Sequence, residues 1–136
     1  MKPSITALCS ALALLSPLGA ATSTWQGGGG NSLWTTTGNW VGGTPPVAGT
    51  GATATFPTSP VFDFSPDNNI ANLGLAQMNV STSSSAYTFK STSSTALTFA
   101  SGGLIEVNQS NNVFISNFNL PVTLAGTTTV DSLGVA

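Results

Sequence analysis

Between Ala86 and Gly126 the chain reads AYTFKSTSSTALTFASGGLIEVNQSNNVFISNFNLPVTLAG, and no other feature limits its fold as much. Short runs that alternate apolar and polar residues (AYTF, TALTF, LIEV, VFIS, PVTL) are separated by Ser, Thr, Asn and Gly. Alternation with a period of two over four or five residues belongs to strands, because successive side chains on a pleated backbone point to opposite faces. Close spacing of such runs predicts many short strands and no long helices.

The polar half of this pattern is almost uncharged. Charged residues make up 4% of the 136 residues, and histidine and arginine are absent. An ordinary soluble domain carries about 25%. With no basic patch, the chain is not expected to bind nucleic acid, whose phosphates demand one. Solubility then rests on hydroxyls and amides.

Residues 1–21, MKPSITALCSALALLSPLGAA, have the organisation of a secretory signal peptide. Lys2 precedes an apolar run from Ile5 to Leu15, Ser16-Pro17 break it, and Gly19 and Ala21 put small side chains before a cut after Ala21 or Ala20. The run is short of the ~20 residues that span a bilayer, so no membrane span is expected in the mature chain. Cys9 is the only cysteine and lies in this leader, which leaves neither disulfide nor thiolate chemistry downstream. The mature chain keeps Lys90 against Asp63, Asp67, Glu106 and Asp131, a net charge of −3. It is expected to be exported.

Residues 22–60 form a Trp/Gly/Pro-rich unit. Trp25, Trp34 and Trp40 lie among Gly27–Gly30, Gly42-Gly43 and Pro45-Pro46. Two roles are open to the tryptophans: stacking on sugar rings as a glycan contact, or filling the core of a small cap. The cap is the expectation, since large aromatics are mostly buried. TATF, ending at Phe56, is expected to be the first strand. The glycine tetrad is no phosphate loop, because no Lys-Ser or Lys-Thr follows it.

Residues 61–136 are expected to form β-strand repeat coils. Val61 to Phe64 reads as an edge strand between Pro60 and Pro66, with a turn at Ser65–Asn68. Asp67 is read as the cap of that turn, and Asp63 as pointing to water between two inward aromatics. Asn68-Asn69-Ile70 recurs as Asn111-Asn112-Val113, forty-three residues on. That is about two turns of ~20-residue coils. The expected fold is therefore all-β, a right-handed parallel β-helix with a Trp/Gly-rich N-terminal cap. The alternative is a β-sandwich, disfavoured because two-residue hairpin turns such as Asn-Gly are missing. Leu97, Phe99, Ile105, Val107, Phe114 and Leu124 are the expected inward positions.

Trp25-Gln26-Gly27, Asn39-Trp40, Pro45-Pro46 and Ala54-Thr55-Phe56 resemble the opening of secreted bacterial proteins with autotransporter-associated β-strand repeats. Tyr87-Thr88-Phe89, Leu97-Thr98-Phe99, Gly102-Gly103-Leu104, Ile115 to Leu120, and Leu124-Ala125-Gly126 are similar to the repeat itself. One departure is Thr50-Gly51, where family members often carry an acidic residue before the A-x-F strand. The resemblance implies a non-catalytic, surface-exposed or secreted passenger segment, structural or adhesin-like. It also implies the outer-membrane surface as location, and cell-surface or matrix glycans or proteins as partners. Such proteins run to many repeats, so this chain reads as the N-terminal portion of a longer passenger, with self-association through an uncapped coil end.

The chemistry of the residues agrees. No histidine serves as base for a serine nucleophile, and Lys90-Ser91, as neighbours on a strand, would face opposite ways. No enzymatic activity, cofactor or metal is expected. Two other readings are a carbohydrate-binding module using Trp25, Trp34 and Trp40, and one end of a β-helical polysaccharide-degrading enzyme. The second needs arginines and clustered carboxylates that this stretch lacks.

Overall fold

A computed structural model describes residues 20–49, 51–59, 63–82, 85–109 and 116–134. The expected signal peptide, residues 1–21, lies outside the described residues except for its last two positions. Among the described residues the protein is mostly β, and its regular strand pairs are all parallel.

The strands are β1 (Thr22–Thr24), β2 (Ala52–Phe56), β3 (Leu73–Thr82), β4 (Thr88–Lys90), β5 (Leu97–Gln109), β6 (Asn117–Asn119), β7 (Val122–Leu124) and β8 (Thr129–Gly134). One sheet runs β1-β2-β3-β5, and β7 and β8 both add to the far side of β5. β4 and β6 form a second parallel ladder, which single bridges extend through Asp67 to Leu33. From β1 to β7 each new strand of the first sheet thus joins the edge left by its predecessor, and β8 adds to β5. The intervening chain passes through the second ladder. Parallel neighbours need such a crossover, whereas the hairpins of an antiparallel sandwich do not. The described pairs contain no such hairpin; their one antiparallel contact is the bridge between Trp25 and Trp40.

Several expected boundaries move. β1 precedes the TATF strand, and the sheet runs straight across the division at 60/61. TALTF and LIEV are one strand, not two, because Gly102-Gly103 bend β5 without ending it. Phe99 pairs with Leu75 and Leu104 with Gln77, so residues 100–103 stand opposite Ala76 alone. Gly102 turns there with φ of 81°, a left-handed value that favours glycine. The bend recurs one strand on: Leu124 pairs with Phe99 and Thr129 with Leu104, leaving 125–128 beside 100–103. In-register partners lie 24 residues apart at Leu73 and Leu97, and 25 at Leu97 and Val122. The true spacing is longer than the ~20 residues read from the Asn-Asn repeat, whose second copy is outside the described residues. Asp63 and Phe64 are not in a strand, and Val61 and Phe62 are not described.

Burial follows the pleat. Ala52, Ala54 and Phe56 point inward from β2. Leu73 and Leu75, then Met78, Val80 and Thr82, do so from β3. The inward phase slips by one residue between Leu75 and Met78, where the register also shifts. Of the expected inward positions, Leu97, Phe99 and Ile105 are buried and Val107 is partly buried against the core. Phe114 lies outside the described residues. Leu124 is a correction: it is 50% exposed, although it shares a register position with buried Phe99. Among the described residues its strand is paired on one side only, and none covers what the alternation would bury.

Candidate functional site

The N-terminal unit holds all three tryptophans of the chain, gathered around Phe56. Trp25, Trp34 and Trp40 are all at 0% exposure. Trp40 meets Trp25 and Trp34 edge-on at 5.2 and 5.6 Å between ring centroids, the geometry that ring quadrupoles favour. Phe56 lies against all three indoles and carries the cluster on to Tyr87 and Phe89. Phe89 stacks on Phe118 at 4.8 Å. The structure brings the three sequence-selected tryptophans together, but inside the fold. Stacking on a sugar needs an open ring face, and none of the three presents one here.

Asn39 ties the loop that carries these rings. It is fully buried; its Oδ1 accepts from Gly29 N at 2.7 Å, and its Nδ2 donates to the carbonyls of Asn31 (2.8 Å) and Leu33 (2.9 Å). A Cβ at Gly29 would lie 2.7 Å from Asn39 Oδ1 and 2.6 Å from Thr36 Cγ2, so a glycine is required for this contact. Gly27 packs as closely on Asp63, with 2.8 Å from its notional Cβ to the Asp63 nitrogen. Gly27 and Gly29 are close-approach positions, a property visible only once Asn39 and Asp63 are in place.

Neither aspartate has the part expected of it. Asp63 Oδ1 accepts from Ser65 N at 2.7 Å and so caps the turn. Its carbonyl accepts from the Trp25 indole N–H at 2.9 Å. Its Oδ2 is buried without a hydrogen-bond partner, so the carboxylate does not simply point to water. Asp67 is buried and reaches across 25 residues, accepting from Thr92 N (3.0 Å) and Thr92 Oγ1 (2.7 Å). Its backbone bridges Leu33 and Lys90. Each carboxylate anchors a different loop. Ser91 is likewise engaged in a turn, its Oγ accepting from Thr95 N at 2.6 Å and donating to Thr95 Oγ1.

Tyr87 links the two regions. Its hydroxyl donates to the Pro57 carbonyl at 2.7 Å, and burial, with the nearby Asp63 charge, holds its ionisation well above the usual tyrosine range. The folded state therefore keeps a proton that the unfolded chain releases above about pH 10. Stability contributed by the neutral hydroxyl is present below that pH and declines as pH rises past it. In an alkaline titration, tyrosinate absorbance from this single tyrosine is expected to appear together with unfolding, not before it.

Beside Asp63 the loop encloses an open cavity of about 470 Å³, lined by Gly27, Gly28, Gly30, Asn31, Ser32 and Asp63. Among the described residues no three His, Cys, Asp or Glu side chains gather as a metal site. None of their helices is long and apolar enough to cross a membrane. Comparison with family models, curated proteins and solved structures finds no match to the chain.

Proposed function

We propose that this chain is a non-catalytic segment of a secreted or surface-exposed β-helical passenger, serving as a scaffold or adhesive stalk. The observation that supports it is the pairing order: parallel strands join one sheet in chain order, with a second parallel ladder in the return path. In this reading each turn of chain is a coil, and stacking buries apolar columns that one coil alone leaves exposed. Ala54, Met78 and Ile105 share one such column, and Ser23 and Val130 stand in register at its two ends. The resemblance to autotransporter-associated repeats falls in step with it. Its Tyr-Thr-Phe leads into β4, its Leu-Thr-Phe opens β5, and its Leu-x-Gly begins at the end of β7. Export through the N-terminal leader to the outer-membrane surface completes the reading, with surface or matrix glycans or proteins as partners.

The coil order is testable by cross-linking, because the chain after the leader has no cysteine of its own. Asn79 and Glu106 are in register and point outward. Neighbouring strands are about 4.8 Å apart, within the reach of a disulfide. An Asn79→Cys/Glu106→Cys pair is expected to oxidise within one chain while retaining the parent circular dichroism. Its failure to do so, with an Asn79→Cys/Asn108→Cys pair closing instead, would mean the register is wrong. Location is tested separately by protease shaving of intact producing cells. Release of peptides from this segment is expected, and full protection would exclude surface display.

Self-association follows from the same architecture. Val122, Leu124 and Val130 are 39, 50 and 64% exposed on β7 and β8, strands with an edge that is unpaired among the described residues. Such an edge, with little charge on it, templates pairing with another chain. Sedimentation of the purified protein is expected to show concentration-dependent association. The Leu124→Lys/Val130→Lys double variant is expected to remain monomeric.

A further inference from the structure

We propose that Asn79 is a glycosylation site, its side-chain nitrogen taking a sugar from a glycosyl-diphosphate donor. The proposal goes beyond the scaffold reading and needs only that β3 presents this residue outward. Transferases that attach a sugar to asparagine select the triplet Asn-x-Ser/Thr, with x other than proline. Of the eleven asparagines only Asn79 and Asn108 begin one, as Asn79-Val80-Ser81 and Asn108-Gln109-Ser110. Ser110 lies outside the described residues, so the assignment is confined to Asn79.

A site of this kind has two physical requirements. The triplet must be selectable while the chain is extended, and the folded residue must leave room for the sugar. The pleat meets the second. Alternate residues of a strand share a face, so Asn79 and Ser81 point outward while Val80 between them is fully buried in the core. Both outward residues keep part of their surface open to solvent. Asn39 and Asn68 give the contrast: neither begins such a triplet, and a sugar on either would have to enter the core.

The amide is also oriented for the reaction's product. Asn79 Oδ1 accepts from Gln77 Nε2 at 2.8 Å, whereas among the described residues no hydrogen bond engages its Nδ2. Glu106, in register on β5, is held by Asn108, whose Nδ2 donates to its Oε1 at 2.6 Å. On the other side Thr55 stands in register on β2, with Thr53 opposite Gln77. These short side chains leave height above the amide and offer hydroxyls to a sugar. No charged residue stands on β1, β2 or β3, so a bulky hydrophilic sugar supplies here the solubility that charge supplies elsewhere. In the transfer Nδ2 bonds to C1 of the sugar, the C1–O bond breaks, the diphosphate leaves with the electron pair, and Nδ2 gives up one proton. Pairing of β3 with β2 and β5 fixes its backbone, so the transfer takes place before the sheet closes over the strand.

The test is peptide mass mapping of the protein purified from its producing cells. The peptide that holds Asn79 is expected to carry a hexose or N-acetylhexosamine increment on that residue. A single sugar there points to a nucleoside-diphosphate donor, and a preassembled chain of sugars to a lipid-linked one. Ser81→Ala retains the acceptor nitrogen and is expected to lose the increment, whereas Ser81→Thr is expected to keep it. An unmodified Asn79 in the parent protein overturns the proposal, whatever the variants do. Sugar found only on other residues, Asn108 included, overturns it too. So does an increment on Asn79 that survives Ser81→Ala, since the hydroxyl would then have no part in selecting the site.

Discussion

Phe56→Ala is expected to remove about 3–5 kcal/mol of stability, the usual cost of emptying a large aromatic site in a packed core. Phe56 is fully buried, with centroid distances of 5.4 Å to Trp34, 5.6 Å to Tyr87 and 4.8 Å to Phe89. It joins the N-terminal tryptophans to the aromatic residues before and within β4, so no single neighbour can collapse into the space it leaves. A domain of this size holds only about 5–15 kcal/mol in total. Urea denaturation followed by tryptophan emission is expected to show a lower midpoint, with emission shifted to the red as the indoles meet water. Phe118→Ala, by contrast, touches a partly buried ring at the far end of the cluster and is expected to cost less. Equal losses from the two variants would deny Phe56 its central position.

Asn39→Asp is nearly isosteric, yet an effect of about 3 kcal/mol or more is expected, because it reverses hydrogen-bond polarity inside a buried site. Gly29 N would keep its acceptor. The carbonyls of Asn31 and Leu33 would face a carboxylate oxygen in place of the amide that now donates to both. Burial and those carbonyl dipoles would raise the ionisation of the new carboxyl above its ordinary value near 4. A raised folded-state value favours folding at low pH and is lost as pH rises. The variant is therefore expected to be least stable near neutrality and to recover partly towards pH 4, where the protonated acid regains one donor. Thermal unfolding at several pH values, with the parent as reference, measures this. A flat difference across pH would show that the side chain is not held between the two carbonyls.

These two residues were not equally legible. Phe56 was readable, because an aromatic ending a β-branched, alternating ATATF run is a strand residue with an inward face. Asn39 gave no local sign beyond lying beside Trp40. Its role depends on Gly29, Asn31 and Leu33 arriving around it, and nothing in the spacing of these residues encodes that arrival. The same holds for the cavity, which combines a glycine loop with an aspartate more than thirty residues further along. Asp63 and Asp67 show the limit from the other side. Both were read as turn or surface residues from local sequence, and distance along the chain hid the partner, Thr92, that accounts for Asp67's burial.

Alternation and composition by themselves determined that this protein is built of strands, that its polar faces carry hydroxyls and amides, and that its large aromatics go inside. Those properties are local, set by the pleat and by the cost of leaving rings in water. Only the tertiary structure decided that the strands pair in parallel and in order. It also decided that β5 continues through its glycines, and that Leu124 is exposed at a position matching buried Phe99. Alternation specifies which side of a strand is apolar. Whether that side is covered depends on the neighbouring strand and its register, and these are contacts between residues far apart in the chain.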